Sequence, residues 1–188
     1  LLGGINIGKA QDMTNPWAIG LGVNAVDFHP RGEDAKGVFA PYDSGSLFDD
    51  YFNTSEHWNI IPIVSRLTAS RYIGDGFVFS LGASYNRIEK VSSMELPRTL
   101  KYYAFDGEIK YGFGRVLKSN WLDPYLGIGG GYSFIDDKGF GTGNGLVGFN
   151  FWVSENLGLN IQSAYKHSFD NKVGATHFQH AAGVVFKF

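Results

Sequence analysis

The sequence predicts an all-β fold: an eight-stranded antiparallel up-and-down transmembrane β-barrel. Three observations carry that prediction. Apolar residues recur at every second position in eight separate segments, the period of a strand with one apolar face. The 188 residues include 26 Gly, 16 Phe and 10 Tyr, a composition poor for helix interiors and rich in strand formers. The opposite face of nearly every segment is Gly, Ser, Asn, Gln or charged, which suits a polar lumen. A soluble lipocalin-like barrel would instead line its pocket with the apolar residues.

The first strand alternates Trp17, Ile19, Leu21, Val23 and Ala25 with Ala18, Gly20, Gly22, Asn24 and Val26. The second, over 58–73, is less regular: Ile61, Ile63, Leu67, Ala69 and Ile73 share one parity, and Arg66, Thr68 and Ser70 the other. The third, 77–85, sets Phe77, Phe79, Leu81, Ala83 and Tyr85 against Val78, Ser80, Gly82 and Ser84. The fourth, 103–113, sets Tyr103, Phe105, Ile109, Tyr111 and Phe113 against Ala104, Asp106, Glu108, Lys110 and Gly112. In the fifth, 126–134, Leu126, Ile128, Tyr132 and Phe134 oppose Gly127, Gly129 and Gly131. The sixth, 147–153, and the seventh, 157–165, follow the same rule, with Val147, Phe149, Phe151 and Val153, then Leu157, Leu159, Ile161 and Tyr165, as apolar sets. The last, 178–188, sets Ala182, Val184, Phe186 and Phe188 against Gln179, Gly183 and Lys187.

The connections alternate in length. Segments 29–57, a dozen polar residues after the third strand, DDKGFGTGNG after the fifth, and about eleven residues before the last strand read as long loops. Gly74-Asp75-Gly76, a moderate segment around 117–123 and Ser154-Glu155-Asn156 read as the shorter links. Long and short connections at opposite ends suit an outer-membrane barrel with external loops and periplasmic turns. Two aromatic belts are expected: Tyr85, Tyr103, Tyr132, Phe134 and Tyr165 at the long-loop end, and Trp17, Phe77, Tyr111, Phe113, Phe151, Phe186 and Phe188 at the short-turn end.

Composition excludes several classes. The net charge of −2 offers no basic surface for nucleic acid. Without cysteine there is no disulfide scaffold and no thiolate metal site. No apolar run reaches the ~18 residues of a transmembrane helix, and a mean hydropathy of −0.12 fits a barrel whose apolar face is diluted by lumen and loops. No cofactor motif occurs. Residues 1–10, LLGGINIGKA, resemble the tail of a secretory signal peptide cleaved after Ala10, or else a short N-terminal arm. The barrel is then 11–188.

The stretches NPWAIGLGVNAVDF, LKYYAFDGEIKYGFG, PYLGIGGGYSFID, FNFWVSENLGLNIQSAYKH and HFQHAAGVVFKF together resemble the N-terminal barrel of the OmpA family, in the form found in Bacteroidetes-type bacteria. Gly183, Phe186 and Phe188 resemble the signal read by the barrel-insertion machinery, although Ala181 stands where that signal has a polar residue. The resemblance implies an envelope protein in contact with lipid and lipopolysaccharide. It also implies a downstream domain binding peptidoglycan, absent from these residues, or a place among other outer-membrane proteins in a larger complex. A narrow OmpW-like channel for small solutes and a lipid-modifying enzyme are the alternatives.

Four charged residues share the inward parity: Arg66, Asp106, Glu108 and Lys110. Buried charges need partners, so an ion-pair network is expected, Arg66 and Lys110 facing Glu108 and Asp106; the family resemblance implies a cluster that plugs the barrel and gates a small conductance, and the favoured alternative is structural satisfaction with no conduction. The histidines His29, His57, His167, His177 and His180 lie mostly toward the loop end without a diagnostic metal spacing. Ser55, Glu56 and His57, or His167 and Ser168, are too close in sequence to face one another as a triad along an extended stretch. The aromatic-rich first connection is expected to pack as a lid over the mouth, with recognition as its functional alternative. Asp49, Asp50, Asp136 and Asp137 are candidates for attracting divalent cations or lipopolysaccharide.

Overall fold

The computed structural model describes residues 10–29, 39, 42, 45–48, 50–170 and 176–188. All of the leader-like segment 1–10 but Ala10, and Asp49, therefore lie outside the described residues. The strands are β1 (Trp17–Asp27), β2 (Asn59–Ile60), β3 (Arg66–Gly74), β4 (Phe77–Val91), β5 (Met94–Gly112), β6 (Leu122–Ile135), β7 (Lys138–Trp152), β8 (Leu157–Ser168) and β9 (His177–Lys187). One helical turn, α1 (Gly114–Leu117), links β5 to β6. Every strand pairs antiparallel with its neighbour, and β9 returns to β1 from Ala18↔Lys187 to Asp27↔Phe178. Eight long strands thus close a ring, with β2 as a short supplement.

Closure has a direct physical cause. Lipid supplies no partner for an open strand edge, so each edge must find one within the chain. At the seam, β1 and β9 approach so closely that a Cβ on Gly22 would stand 2.8 Å from Gly183 Cα, and one on Gly183 2.7 Å from Gly22 Cα. Only glycine fits at either position.

One edge is handled differently. β3 begins at Arg66, opposite Gly22, because Pro62 interrupts the expected 58–73 strand and cannot donate to a ladder. Above that point β2 covers only Ala25 and Val26. Three buried asparagines bridge the gap between β1 and β4. Asn24 donates to Ser65 O and Tyr85 O (both 2.9 Å), and Asn86 to Asn24 O and Asn59 O. Asn59 donates to Val26 O and Lys90 O while accepting from the N–H groups of Glu89 and Lys90.

Two connections differ from the expected long loops. β4 and β5 run on past Tyr85 and Tyr103 and turn at Ser92-Ser93, so the dozen polar residues form a protruding hairpin. DDKGFGTGNG is mostly the start of β7, with only Asp136-Asp137 left as a turn. The long described or partly described connections are 28–58 and 169–176, at the same end of the barrel.

The outward parity is the expected one. Ile19, Leu21, Leu67, Leu81, Ile109, Ile128, Val147, Ile161 and Val184 are exposed on the outer wall, although each is apolar. Such a continuous exposed apolar band is a lipid contact, not a solvent surface.

Candidate functional site: the filled lumen

The belts frame the site. At the long-loop end Tyr85 and Tyr103 are register partners with rings 5.1 Å apart, Tyr132 and Phe134 lie 5.0 Å apart, and Tyr165 meets Phe178 at 5.1 Å. At the other end Phe77, Tyr111 and Phe113 are in ring contact, Phe151 meets Trp121, and Phe186 meets Phe188. Trp17 carries the Arg71 guanidinium over its ring at 5.0 Å.

Between the belts the lumen has three layers. The upper one is apolar. Because β4 to β7 extend beyond the upper belt, their inner faces need a core of their own, as in a water-soluble domain. Ile88, Val91, Tyr102, Ile135 and Phe140 supply it from the strands, Phe28 from beyond the end of β1, and Phe39 from the first connection. Phe28 and Phe39 are fully buried with rings 4.6 Å apart. Tyr102 shares a 2.8 Å hydrogen bond with His177 Nε2 beneath them.

The middle layer is ionic. Glu108 takes both cations of its end of the cluster, Lys110 Nζ at 3.1 Å and Arg66 Nη2 at 3.7 Å. Asp106 is partnered differently from the expectation. Its cation is Lys166, which donates to Oδ1 at 2.7 Å and Oδ2 at 2.9 Å, and Asn144 Nδ2 donates to Oδ1 as well. The reason is height: Asp106 stands one inward step along β5 from Glu108, and Lys166 reaches across the lumen at that level. Lys166 has no exposed side-chain surface. Its parity follows Gln162 and Ala164 on β8, so inward placement was readable from alternation alone. Glycines make room for this layer. A Cβ on Gly131 would strike Asp106 Oδ1, and one on Gly129 would stand 3.0 Å from Glu108 Cα.

The lower layer is a cavity of about 80 Å³ at the short-turn end, with mixed walls whose polar members include Thr68, Ser70, Tyr72, Lys110, Arg115 and Asp123. Trp152 also lines it, with the Lys187 ammonium 4.6 Å over its ring. Gln11 reaches in from the N-terminal segment, its amide donating to Pro16 O at 2.5 Å.

The first connection divides its work. Phe39 enters the lumen as the expected lid, but Phe48, Tyr51 and Trp58 lie on the outer wall. There Tyr51 meets Phe178 and His180 edge-on at 5.0 Å, and Trp58 stacks on His180 at 4.1 Å. Tyr51 also bonds Ser163, and burial under these contacts raises its phenol pKa above 10.0. Sequence alternation alone carried no signal for that placement.

The remaining polar candidates do not converge. His57 packs at a tilt against His29 with ring centroids 3.9 Å apart, Ser55 donates to Asn53 Oδ1, and Glu56 accepts from Asn53 and Ser93. His167 Nδ1 is 3.3 Å from Thr176 Oγ1. Among the described residues no group of three His, Asp or Glu side chains is placed to hold a metal. Asp136 caps its turn, accepting from Lys101 N–H at 2.8 Å and pairing with Arg98 at 2.7 Å; Asp137 is its partner in the turn, and Asp50 lies in the first connection.

No protein-family model matches this sequence, and no curated protein matches it. Solved structures do. The chain is similar to the outer-membrane protein OprG of Pseudomonas aeruginosa, with TM-score 0.60 and 15% identity over 98% of this chain and 99% of that one. It is similar to neisserial surface protein A, with TM-score 0.57 and 16% identity over 92% and 96%. It is also similar to the N-terminal β-barrel domain of P. aeruginosa OprF, with TM-score 0.54 and 13% identity over 93% and 98%. At such identities the likeness establishes the fold, that of an eight-stranded outer-membrane β-barrel. It carries no assignment to a bacterial group.

Proposed function

We propose that this protein is a plugged structural barrel of the bacterial outer membrane. It anchors the envelope, either by tethering the membrane to peptidoglycan through a further domain or by lending its wall to a larger outer-membrane complex. The observation that supports this reading is the filled lumen: an apolar plug, with Phe28 and Phe39 fully buried, lies above an ionic layer in which Glu108 meets Lys110 and Arg66 and Asp106 meets Lys166. The likeness to OprF supports the tethering form, since the matched part of that protein is a barrel domain by name. In this reading the first connection and the β4–β5 hairpin face the outside, where lipopolysaccharide lies, and the short turns face the periplasm. The outer band meets lipid, and no chemistry is performed in the lumen.

Planar-bilayer recording of the refolded barrel tests the reading. The wild-type protein should give no resolved steps in molar salt. Glu108→Ala should stay silent, because Phe28 and Phe39 still close the upper layer, whereas Phe28→Ala/Phe39→Ala/Glu108→Ala should conduct. Steady conductance of the wild type would favour the narrow-channel alternative and overturn the proposal.

A further inference from the structure

The charges lining the lumen do not balance. Among the described residues of inward parity Arg66, Lys110, Lys166 and Lys187 are buried or nearly so, against three carboxylates, Asp106, Glu108 and Asp123; the fourth buried carboxylate, Asp27, has the outward parity of β1 at the long-loop end. Asp106 is matched by Lys166, and Asp123 interacts electrostatically with Lys187. Glu108 alone faces both Arg66 and Lys110. One positive charge is therefore left over at the floor of the ionic layer.

The geometry marks where that charge is offered. Lys110 Nζ already donates to Gln162 Oε1 at 3.0 Å, but Arg66 Nη2 is buried and donates no hydrogen bond among the described residues. Arg66 is 7% exposed and lines the lower cavity together with Lys110 and Arg115, against Asp123 as the single carboxylate there. An unmatched buried cation is expensive, and an unsatisfied guanidinium N–H adds to that cost. Arg115 at the mouth would focus negative solutes inward. The volume of about 80 Å³ suits several waters, or one small anion with a water or two.

We infer that the lower lumen is a binding site for one small monovalent anion, of the size of a halide or a short carboxylate. Arg66 Nη2 and Lys110 Nζ donate charge-assisted hydrogen bonds to it from the floor of the ionic layer, and it enters from the short-turn end. The site does not depend on whether the barrel anchors or conducts, because it lies below the layer that closes the lumen.

Chloride-35 NMR line broadening of sodium chloride solutions containing the barrel, refolded in a non-ionic detergent, tests the site. The wild type should give saturable excess broadening that sodium bromide and sodium formate remove. Arg66→Gln and Lys110→Gln should each weaken chloride by at least about tenfold, and Arg98→Gln, outside the lumen, should leave it unchanged. Glu108→Gln is the decisive sign: removing the competing carboxylate should tighten chloride several-fold. If Arg66→Gln fails to refold, as judged by its gel mobility before and after boiling, Lys110→Gln and Glu108→Gln decide the matter alone. Absence of excess broadening, broadening indifferent to Lys110→Gln, or weaker binding in Glu108→Gln would each overturn the inference.

Discussion

Replacing Lys166 by Met isolates what burial does to an ion pair. Two pairs in this protein have the same separation: Lys166–Asp106 and Arg98–Asp136 both stand at 2.7 Å. They differ in surroundings, for the Lys166 side chain is 0% exposed and that of Arg98 is 71% exposed. At an effective dielectric of about 20, charges 2.7 Å apart attract by roughly 6 kcal/mol before desolvation. Desolvation cancels much of this in the intact pair, but it is not recovered when one partner is removed. Lys166→Met leaves the Asp106 carboxylate with the Asn144 Nδ2 hydrogen bond, and also strips Gln179 Oε1 of a contact at 3.3 Å. The expected loss is about 3–5 kcal/mol. Arg98→Met removes a screened surface pair and should lose no more than about 1 kcal/mol. The double variant Lys166→Met/Asp106→Asn should recover most of the stability, since the orphaned charge is gone. Reversible urea unfolding in lipid vesicles, followed by tryptophan fluorescence, measures all three. A Lys166→Met cost below about 1 kcal/mol, or a double variant worse than the single, would refute the reasoning.

Three further expectations use the same unfolding assay or amide exchange. Gly131→Ala drives a Cβ into Asp106 Oδ1 and to 2.9 Å from Phe105 O, and should lose about 2 kcal/mol, whereas Gly145→Ala, with nothing within 4 Å, should gain about 0.5 kcal/mol. Asn59→Ala deletes four hydrogen bonds that bridge β1 and β4 and orphans backbone groups there, for a loss of about 3 kcal/mol. The Lys101 N–H, and then the Arg98 guanidinium, hold the Asp136 carboxyl below its ordinary 3.8. The turn's contribution is therefore complete above pH 3.8 and lost as pH falls through the lower folded value; exchange of the Lys101 amide should accelerate over that acid range and be insensitive to pH-dependent opening above it.

Much of this was legible before any coordinates, and the failures have identifiable causes. Period-two alternation placed Trp17, Phe79, Ile109 and Val184 on the lipid face because lipid and lumen impose opposite chemistry on adjacent residues. DDKGFGTGNG was misread because composition stood in for context. Its outward glycines are seats for rings from neighbouring segments: a Cβ on Gly139 would meet Tyr132, and one on Gly143 would stand 2.9 Å from Phe169. Lys166 was missed although its parity was plain, because the expected network drew on only two strands. The asparagine bridge and the outward fold of Tyr51 and Trp58 depend on long-range packing, which no local pattern encodes.

The most direct test of the central account is a cysteine scan over 77–81 of β4, which needs no background correction because the chain contains no native cysteine. Nitroxides attached one at a time to the barrel in lipid vesicles report collisions with molecular oxygen and with a water-soluble nickel chelate. Phe77, Phe79 and Leu81 are 43%, 41% and 55% exposed on the outer wall, while Ser80 is 1% exposed and Val78 shares its inward parity. Oxygen access should be high at 77, 79 and 81 and low at 78 and 80. A flat profile, or nickel access at 79 exceeding that of oxygen, would contradict a barrel that meets lipid with this face.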